Sequence, residues 1–319
     1  MQRTASLIGI GGLVALVVAG CGGGPEPTGV TGSDINGVLT GAFSGQALIP
    51  QALTGKIAFE SNRRAGNWDI YLMNAEGGGV TRLTRDPACD RESAWSPDGS
   101  KIAFNSYRTG NWEIYAMNAD GTGVTRLTHN AAVDEEQTWS PDGSKIAFTS
   151  ERPSDDIYVM NADGTGVTRL THYSGWDWDP AWSPDGGKIA FASTRGGNWD
   201  IYVMNADGTG VTPLTRGAAQ NVQPAWSPDG GKIAFASNRH ASNWDIYVMN
   251  PDGTGVTRLT HNSAQDLGPA WSADATKIAF GSNRAGKWDI YVINADGTGV
   301  TRLTHNAVDD WEPAWWGPR

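Results

Sequence analysis

The chain has 319 residues, with 42 Gly, 15 Trp and 16 Pro, and 34 acidic against 24 basic side chains for a net charge of −10. Glycine stands at nearly twice its usual share of about 7%, and 39% hydrophobic content with 9% aromatics is enough to build a core, which excludes a coiled coil and extended disorder. No basic excess or basic run is present to neutralise phosphates, which excludes a nucleic-acid binder. From the N-terminus, Met1-Gln2-Arg3 precedes an apolar run from Leu7 to Ala19, too short to span a bilayer. One basic residue, a short apolar stretch and small residues before a break read as a secretory signal over residues 1–20.

That break, Val18-Ala19-Gly20-Cys21, resembles the lipobox of bacterial lipoproteins. The resemblance implies cleavage before Cys21 and lipidation of its thiol with more than one acyl chain, enough for stable anchoring. It therefore implies a lipid-anchored protein of the bacterial cell envelope, on the periplasmic side or at the cell surface. The other cysteine, Cys89, lies in a different setting, and the two do not read as a disulfide framework or a zinc site. After Cys21, Gly22 to Gly29 is rich in Gly and Pro, so residues 21–55 read as the lipidated Cys and a flexible tether. Residues 34–55 are small and apolar with repeated Gly; they serve either as linker or as an addition to the first repeat.

From Lys56 the chain repeats itself. Lys-Ile-Ala-Phe begins at Lys56, Lys101, Lys145, Lys188, Lys232 and Lys277, with spacings of 43 to 45 residues. Ile-Tyr recurs from Ile70 to Ile290, Leu-Thr from Leu83 to Leu303, and a Trp at Trp95, Trp139, Trp182, Trp226, Trp271 and Trp315. Four short β-like segments per unit of this length is the pattern of propeller blades. Each unit reads as an antiparallel meander: Pro-Ala-Trp, Lys-Ile-Ala-Phe, Asp-Ile-Tyr-Val-Met and Val-Thr-Arg-Leu-Thr. Ser-Pro-Asp-Gly joins the first two strands and Asn-Ala-Asp-Gly the last two, turn sequences with a Pro-set corner, an Asp that bonds nearby backbone, and Gly for positive φ. Arg and Thr on the fourth strand discourage pairing at the exposed edge. The first repeat lacks its first strand, and the chain ends with a surplus one at Pro313-Ala314-Trp315. The expectation is an all-β, six-bladed β-propeller over residues 56–319, closed by the C-terminal strand joining the N-terminal blade.

The unit PAWSPDGGKIAFASTRGGNWDIYVMNADGTGVTPLT resembles the TolB-type β-propeller repeat, a relative of the WD repeat, over residues 56 to 316. TolB proteins are soluble periplasmic proteins with an α/β domain ahead of a six-bladed propeller that binds the peptidoglycan-associated lipoprotein. The stretch from Cys21 to Lys56 has no room for that α/β domain. The resemblance thus implies the fold and a protein-binding role, and leaves a Tol link open.

In a meander, the two invariant turns share one face and the two variable loops share the other. Variation on a rigid scaffold is where binding is sought. Five residues before each first-strand Trp stand Asp90, Asp134, Asp177, Asn221, Asp266 and Asp310; three before it stand Glu92, Glu136, Asp179, Gln223, Gly268 and Glu312. Nine acids at one opening suggest a funnel that attracts a cationic segment or a metal ion, with oxygen ligands suiting calcium or magnesium. Arg63, Arg108, Arg152, Arg195, Arg239 and Arg284 occupy the same face, placed to pair either with these acids or with the acid before each Ile-Tyr.

Eleven of the 15 Trp residues follow the repeat and read as packing between blades. Trp176, Trp178 and Trp311 do not, and their place in variable loops makes them candidate anchors for a partner; Trp316 completes the last strand. His129, His172, His261 and His305 share one repeat position, which spreads them around the ring instead of gathering them into a site. No Gly-x-Ser-x-Gly elbow is present. These features point to a monomeric, non-enzymatic module that needs no cofactor and binds another envelope protein or peptide segment through its variable acidic face. The competing reading is a metal-assisted carbohydrate lyase or hydrolase of the TolB-like propeller type.

Overall fold

The computed structural model describes residues 55–64 and 66–318. The secretory signal, Cys21 and all of the tether but Gly55 lie outside the described residues. The chain forms six four-stranded antiparallel sheets. Blade one runs outward from β24 (Asp310–Trp316) through β1 (Lys56–Arg64) and β2 (Asn67–Asn74) to β3 (Thr81–Arg82). Blade two has β4 (Asp90–Trp95), β5 (Lys101–Ser106), β6 (Glu113–Asn118) and β7 (Thr125–Arg126). Blades three to six repeat that order from the innermost strands β8 (Asp134–Trp139), β12 (Asp177–Trp182), β16 (Asn221–Trp226) and β20 (Asp266–Trp271).

Closure is as the repeat arithmetic requires. β1 pairs antiparallel with β24 in the register Lys56↔Trp316, Ile57↔Trp315 and Ala58↔Ala314. Trp316 then laps onto blade two, where its indole donates to the Pro97 carbonyl at 3.2 Å and lies 5.7 Å from Trp95. An added Cβ on Gly99 would come within 2.2 Å of that indole, so glycine is required there.

The second and third strands are apolar on both faces because each sheet is covered on both sides. Phe59, Phe104, Phe148, Phe191, Phe235 and Phe280 are fully buried, one per blade. Each sits in a cluster shared with a neighbour: Ala103 and Ile114 of blade two pack with Ile146 and Phe148 of blade three. A buried Phe of this kind contributes about 1.5–3 kcal/mol. The turns follow their sequence grammar. Gly99 N–H donates to the Ser96 carbonyl at 2.9 Å, and the Asp98 carboxylate accepts from the Ser96 hydroxyl at 2.7 Å and the Ser100 amide at 3.0 Å. These bonds hold the Asp98 carboxyl at a pKa of about 2.

The innermost strands begin earlier than Pro-Ala-Trp. Each starts five residues before the Trp, at an acid in five blades and at Asn221 in β16, and in four of them the first amide is tied to the loop of the preceding blade. Asp134 N–H donates to the Trp112 carbonyl at 3.1 Å and Asp310 N–H to the Trp288 carbonyl at 2.8 Å. The variable segment expected as loop ahead of each first-strand Trp is therefore partly strand, and Trp178 and Trp311 are strand residues. Cys89 is fully buried.

Candidate functional site in the central channel

The nine acids singled out by spacing fall into two sets. Asp90, Asp134, Asp177, Asp266 and Asp310 are fully buried. Each is paired with the arginine of its own blade's second loop: Arg108 at 2.9 Å, Arg152 at 2.5 Å, Arg195 at 2.5 Å, Arg284 at 2.9 Å and Arg63 at 2.8 Å. Each guanidinium also lies over an aromatic ring, as Arg108 does 4.7 Å from the Tyr115 centroid. Of the two pairings open to these arginines, the structure adopts the first. In five blades the acid before Ile-Tyr has its own partner, the fourth-strand arginine: Asp69 with Arg82 at 2.9 Å, Glu113 with Arg126 at 2.7 Å, Asp289 with Arg302 at 2.8 Å. That arginine was read only as edge protection; its recurrence thirteen residues after the acid was the available signal.

Glu92, Glu136, Asp179 and Glu312, with Gln223 and Gly268, form the second set. All six sit at φ between 43° and 62°, in a β-bulge where the innermost strand shifts register against the next. The left-handed turn points each side chain along the channel wall toward the next blade. Glu92 thus accepts the Glu136 amide at 2.8 Å, Glu136 accepts the Asp179 amide at 2.8 Å, Asp179 accepts the Gln223 amide at 3.0 Å, and Gln223 accepts the Gly268 amide at 2.9 Å. Gly268 has no side chain to continue the series. Glu312 fills the space, with its Cγ 3.7 Å from where a Gly268 Cβ would stand, and receives the Gln223 side-chain amide at 3.2 Å. Glu60, on β1, takes over as acceptor for the Glu92 amide at 3.4 Å.

This ring lies two residues in from the variable-face end of each innermost strand. It gathers like charge in a confined space. Burial pushes Glu92 well above the carboxylate range, and the charges of Glu135, Glu312 and Glu136 push it further. Glu136 is raised by burial and then by Asp179, and burial takes Asp179 up to about 7 against the pull of the Gln223 amide. Glu60 is raised by burial and held back by Arg91, 3.3 Å away. Asn105 and Gln137 are buried beside Glu92, each with a side-chain oxygen that has no partner.

Trp176 is 37% exposed and stacks on Trp199 with centroids 6.2 Å apart. Trp178 packs 4.8 Å from Trp199, and Trp311 meets Trp288 edge-on at 3.8 Å. The three off-pattern indoles do not form one cluster: Trp176 and Trp178 share a seam, and Trp311 lies on another. The five histidines are exposed, and among the described residues no three His, Cys, Asp or Glu side chains are gathered to hold a metal ion. At the opposite, turn-face end, the six first-strand indoles and the turn prolines line a cavity of about 260 Å³. Those indoles were read as packing alone.

A closed six-bladed ring with a carboxylate-lined channel defines the class. The TolB beta propeller domain family matches residues 39–151, 107–171, 138–240 and 215–318, so the chain belongs to that family. Its fold is similar to that of TolB from Acinetobacter baumannii (24% identity, TM-score 0.74, 84% of this chain and 68% of that one). It is also similar to a putative TolB from Agrobacterium tumefaciens (24% identity, TM-score 0.65, 83% and 92%). Hydrazine synthase of Kuenenia stuttgartiensis shares the architecture at 18% identity (TM-score 0.69, 83% and 47%).

Proposed function

We propose that the protein is a lipid-anchored component of the bacterial cell envelope whose propeller binds another envelope protein or peptide segment at its variable face. Residues 1–20 direct secretion, Cys21 carries the lipid, and residues up to 55 tether the ring to the membrane. The observation that carries the binding role is the channel ring. Glu92, Glu136 and Asp179 crowd like charge at a cost to their own ionisation, while Gln223 makes the same bond without charge. Carboxylates kept where an amide would serve the fold are suited to a cationic group entering from the variable mouth.

The buried acids Asp90, Asp134, Asp177, Asp266 and Asp310 serve this reading as supports, because reversing their charge would break internal ion pairs. The test is therefore made on the ring. Glu92→Gln, Glu136→Gln and Asp179→Asn together are expected to abolish crosslinked capture of the partner by the full mature chain without lowering its melting temperature. Undiminished capture would sink the proposal. The anchor is tested separately. Cys21→Ser is expected to move the protein from the membrane fraction to the soluble fraction. A thiol cannot be both a thioether and half of a disulfide, so a Cys21–Cys89 disulfide found by non-reducing mass analysis would overturn the lipid assignment.

A further inference from the structure

Five blades place an indole before the acid that opens the third strand: Trp68, Trp112, Trp199, Trp244 and Trp288. Blade three has Asp155 there, after a shorter loop through Pro153 and Ser154. Two backbone bonds fix what surrounds the resulting notch. The Asp177 amide donates to the Asp155 carbonyl at 2.9 Å, which holds Asp155 beside Trp178. The Glu151 amide donates to the Val133 carbonyl at 3.0 Å, which holds Glu151 near Glu135.

Glu135, Glu151 and Asp155 lie within electrostatic reach of one another, and each is raised by burial and by acids alone. The Trp178 indole, hydrogen-bonded to Asp155, offsets this. The nearby guanidinium groups are committed elsewhere: Arg152 to Asp134, Arg169 to Asp156 and Arg195 to Asp177. Among the described residues none of the three acids has an ion pair. The aromatic side of the seam is Trp176, 37% exposed with Trp199 stacked beneath it, and Trp178 against the same indole. An aromatic surface beside uncompensated negative charge is complementary to an organic cation, and a planar guanidinium can both stack on indole and bond carboxylates.

We infer that the seam between blades three and four is the seat of a cationic side chain, an arginine by preference, on the partner segment, with Trp176 and Trp178 as the stacking surface and Glu135, Glu151 and Asp155 as its counter-charge. This rests on the reading that the variable face is the binding face, and it names the chemistry recognised there.

The probe is triarginine amide, with trilysine amide for comparison, titrated calorimetrically into the full mature chain. One saturable site is expected, tighter for triarginine and weakened by salt. Glu135→Gln with Glu151→Gln and Asp155→Asn is expected to weaken it by about tenfold or more, at a few-fold per exposed charge. Trp176→Ala is expected to weaken it roughly two- to fivefold. Asp142→Asn with Asp185→Asn, on the turn face, is expected to leave it unchanged. No saturable binding, or binding lost in the turn-face variant and kept in the notch variant, overturns the inference. Partner capture that survives the notch variant also overturns it while leaving the channel reading intact. Triarginine bound at the notch with capture unaffected by the ring variant defeats the channel reading instead.

Discussion

At the scale of single residues, the seams between blades are governed by charge balance. At five seams two buried carboxylates face each other, each with its own arginine, as Asp90 with Arg108 faces Asp69 with Arg82. Burial raises Asp69 to about 6 even so. The seam between blades four and five departs from this twice. Pro213 stands where the fourth-strand arginine would be, and Asn221 replaces the innermost aspartate. Asn221 accepts from Arg239 at 2.6 Å and donates to Asp200 at 3.0 Å, so one positive and one negative charge are lost together. Asn221→Asp would take Arg239 as its partner and leave the buried Asp200 as a carboxylate without an arginine. It is expected to cost about 3–5 kcal/mol, as for a buried charge left unpaired, and Pro213→Arg in the same chain is expected to recover most of that loss. Thermal melts of the two single variants and the double variant check this, and an unshifted midpoint for Asn221→Asp would refute it.

At the scale of the strand, the innermost elements carry a built-in tension. Non-glycine residues at positive φ cost of order 1–3 kcal/mol, and Glu92, Glu136, Asp179, Gln223 and Glu312 all accept it. The return is a bond to the next blade's amide, made at the point where the bulge interrupts the ladder. The bond needs an acceptor, not a charge, as Gln223 demonstrates. Glu136→Gln is therefore expected to keep the bond, remove repulsion from Asp179 and raise the melting midpoint. Glu136→Ala is expected to lower it by about 1–3 kcal/mol, because the buried Asp179 amide loses its acceptor. Equal midpoints for the two variants would mean that the interblade bond contributes nothing. The outermost strands are only two residues long, as in Thr125–Arg126, which limits the exposed edge, and their arginines turn inward to the third-strand acids.

At the scale of the whole molecule, the −10 charge is divided among three places. Ten turn-face aspartates, among them Asp98, Asp142 and Asp120, have lowered pKa values from their turn hydrogen bonds. Asp98 and Asp142, at about 2, remain ionised down to strongly acidic pH. The seam acids are buried between blades, and in the channel Glu92, Glu136 and Asp179 are held together with raised pKa values. The two shifted groups act on stability in opposite senses. A turn carboxyl with a depressed folded pKa contributes stability above about pH 4 that is lost as pH falls toward 2. A channel carboxyl with a raised folded pKa binds its proton more tightly when folded, so stability falls as pH rises from about 4 to about 7, the folded value for Asp179. The melting midpoint is expected to rise as pH is lowered from 8 to 5, and the ring variant Glu92→Gln, Glu136→Gln, Asp179→Asn is expected to flatten that slope. A midpoint that falls steadily over this range in the unsubstituted protein would contradict the assignment.

Blade number, ring closure and turn chemistry were legible in the sequence. They depend on features a linear chain repeats: an apolar pair such as Ile57 and Phe59 every 43 to 45 residues, Ser-Pro-Asp-Gly for a tight turn, and a missing first strand matched by a surplus last one. Spacing also picked out Glu92, Glu136, Asp179 and Glu312 of the channel but not Glu60, and it set Asp90 beside Glu92 as if the two were alike. Only the tertiary structure separates them. The side chain of Asp90 enters the seam and meets Arg108, whereas the left-handed bulge turns Glu92 into the channel. The notch at Asp155 is of the same kind. A missing Trp is visible in the repeat, but three acids from one loop and one strand of blade three meet Trp178 only because blades three and four close against each other. Local periodicity specifies the elements, while the partner of each charge depends on which neighbouring blade covers it.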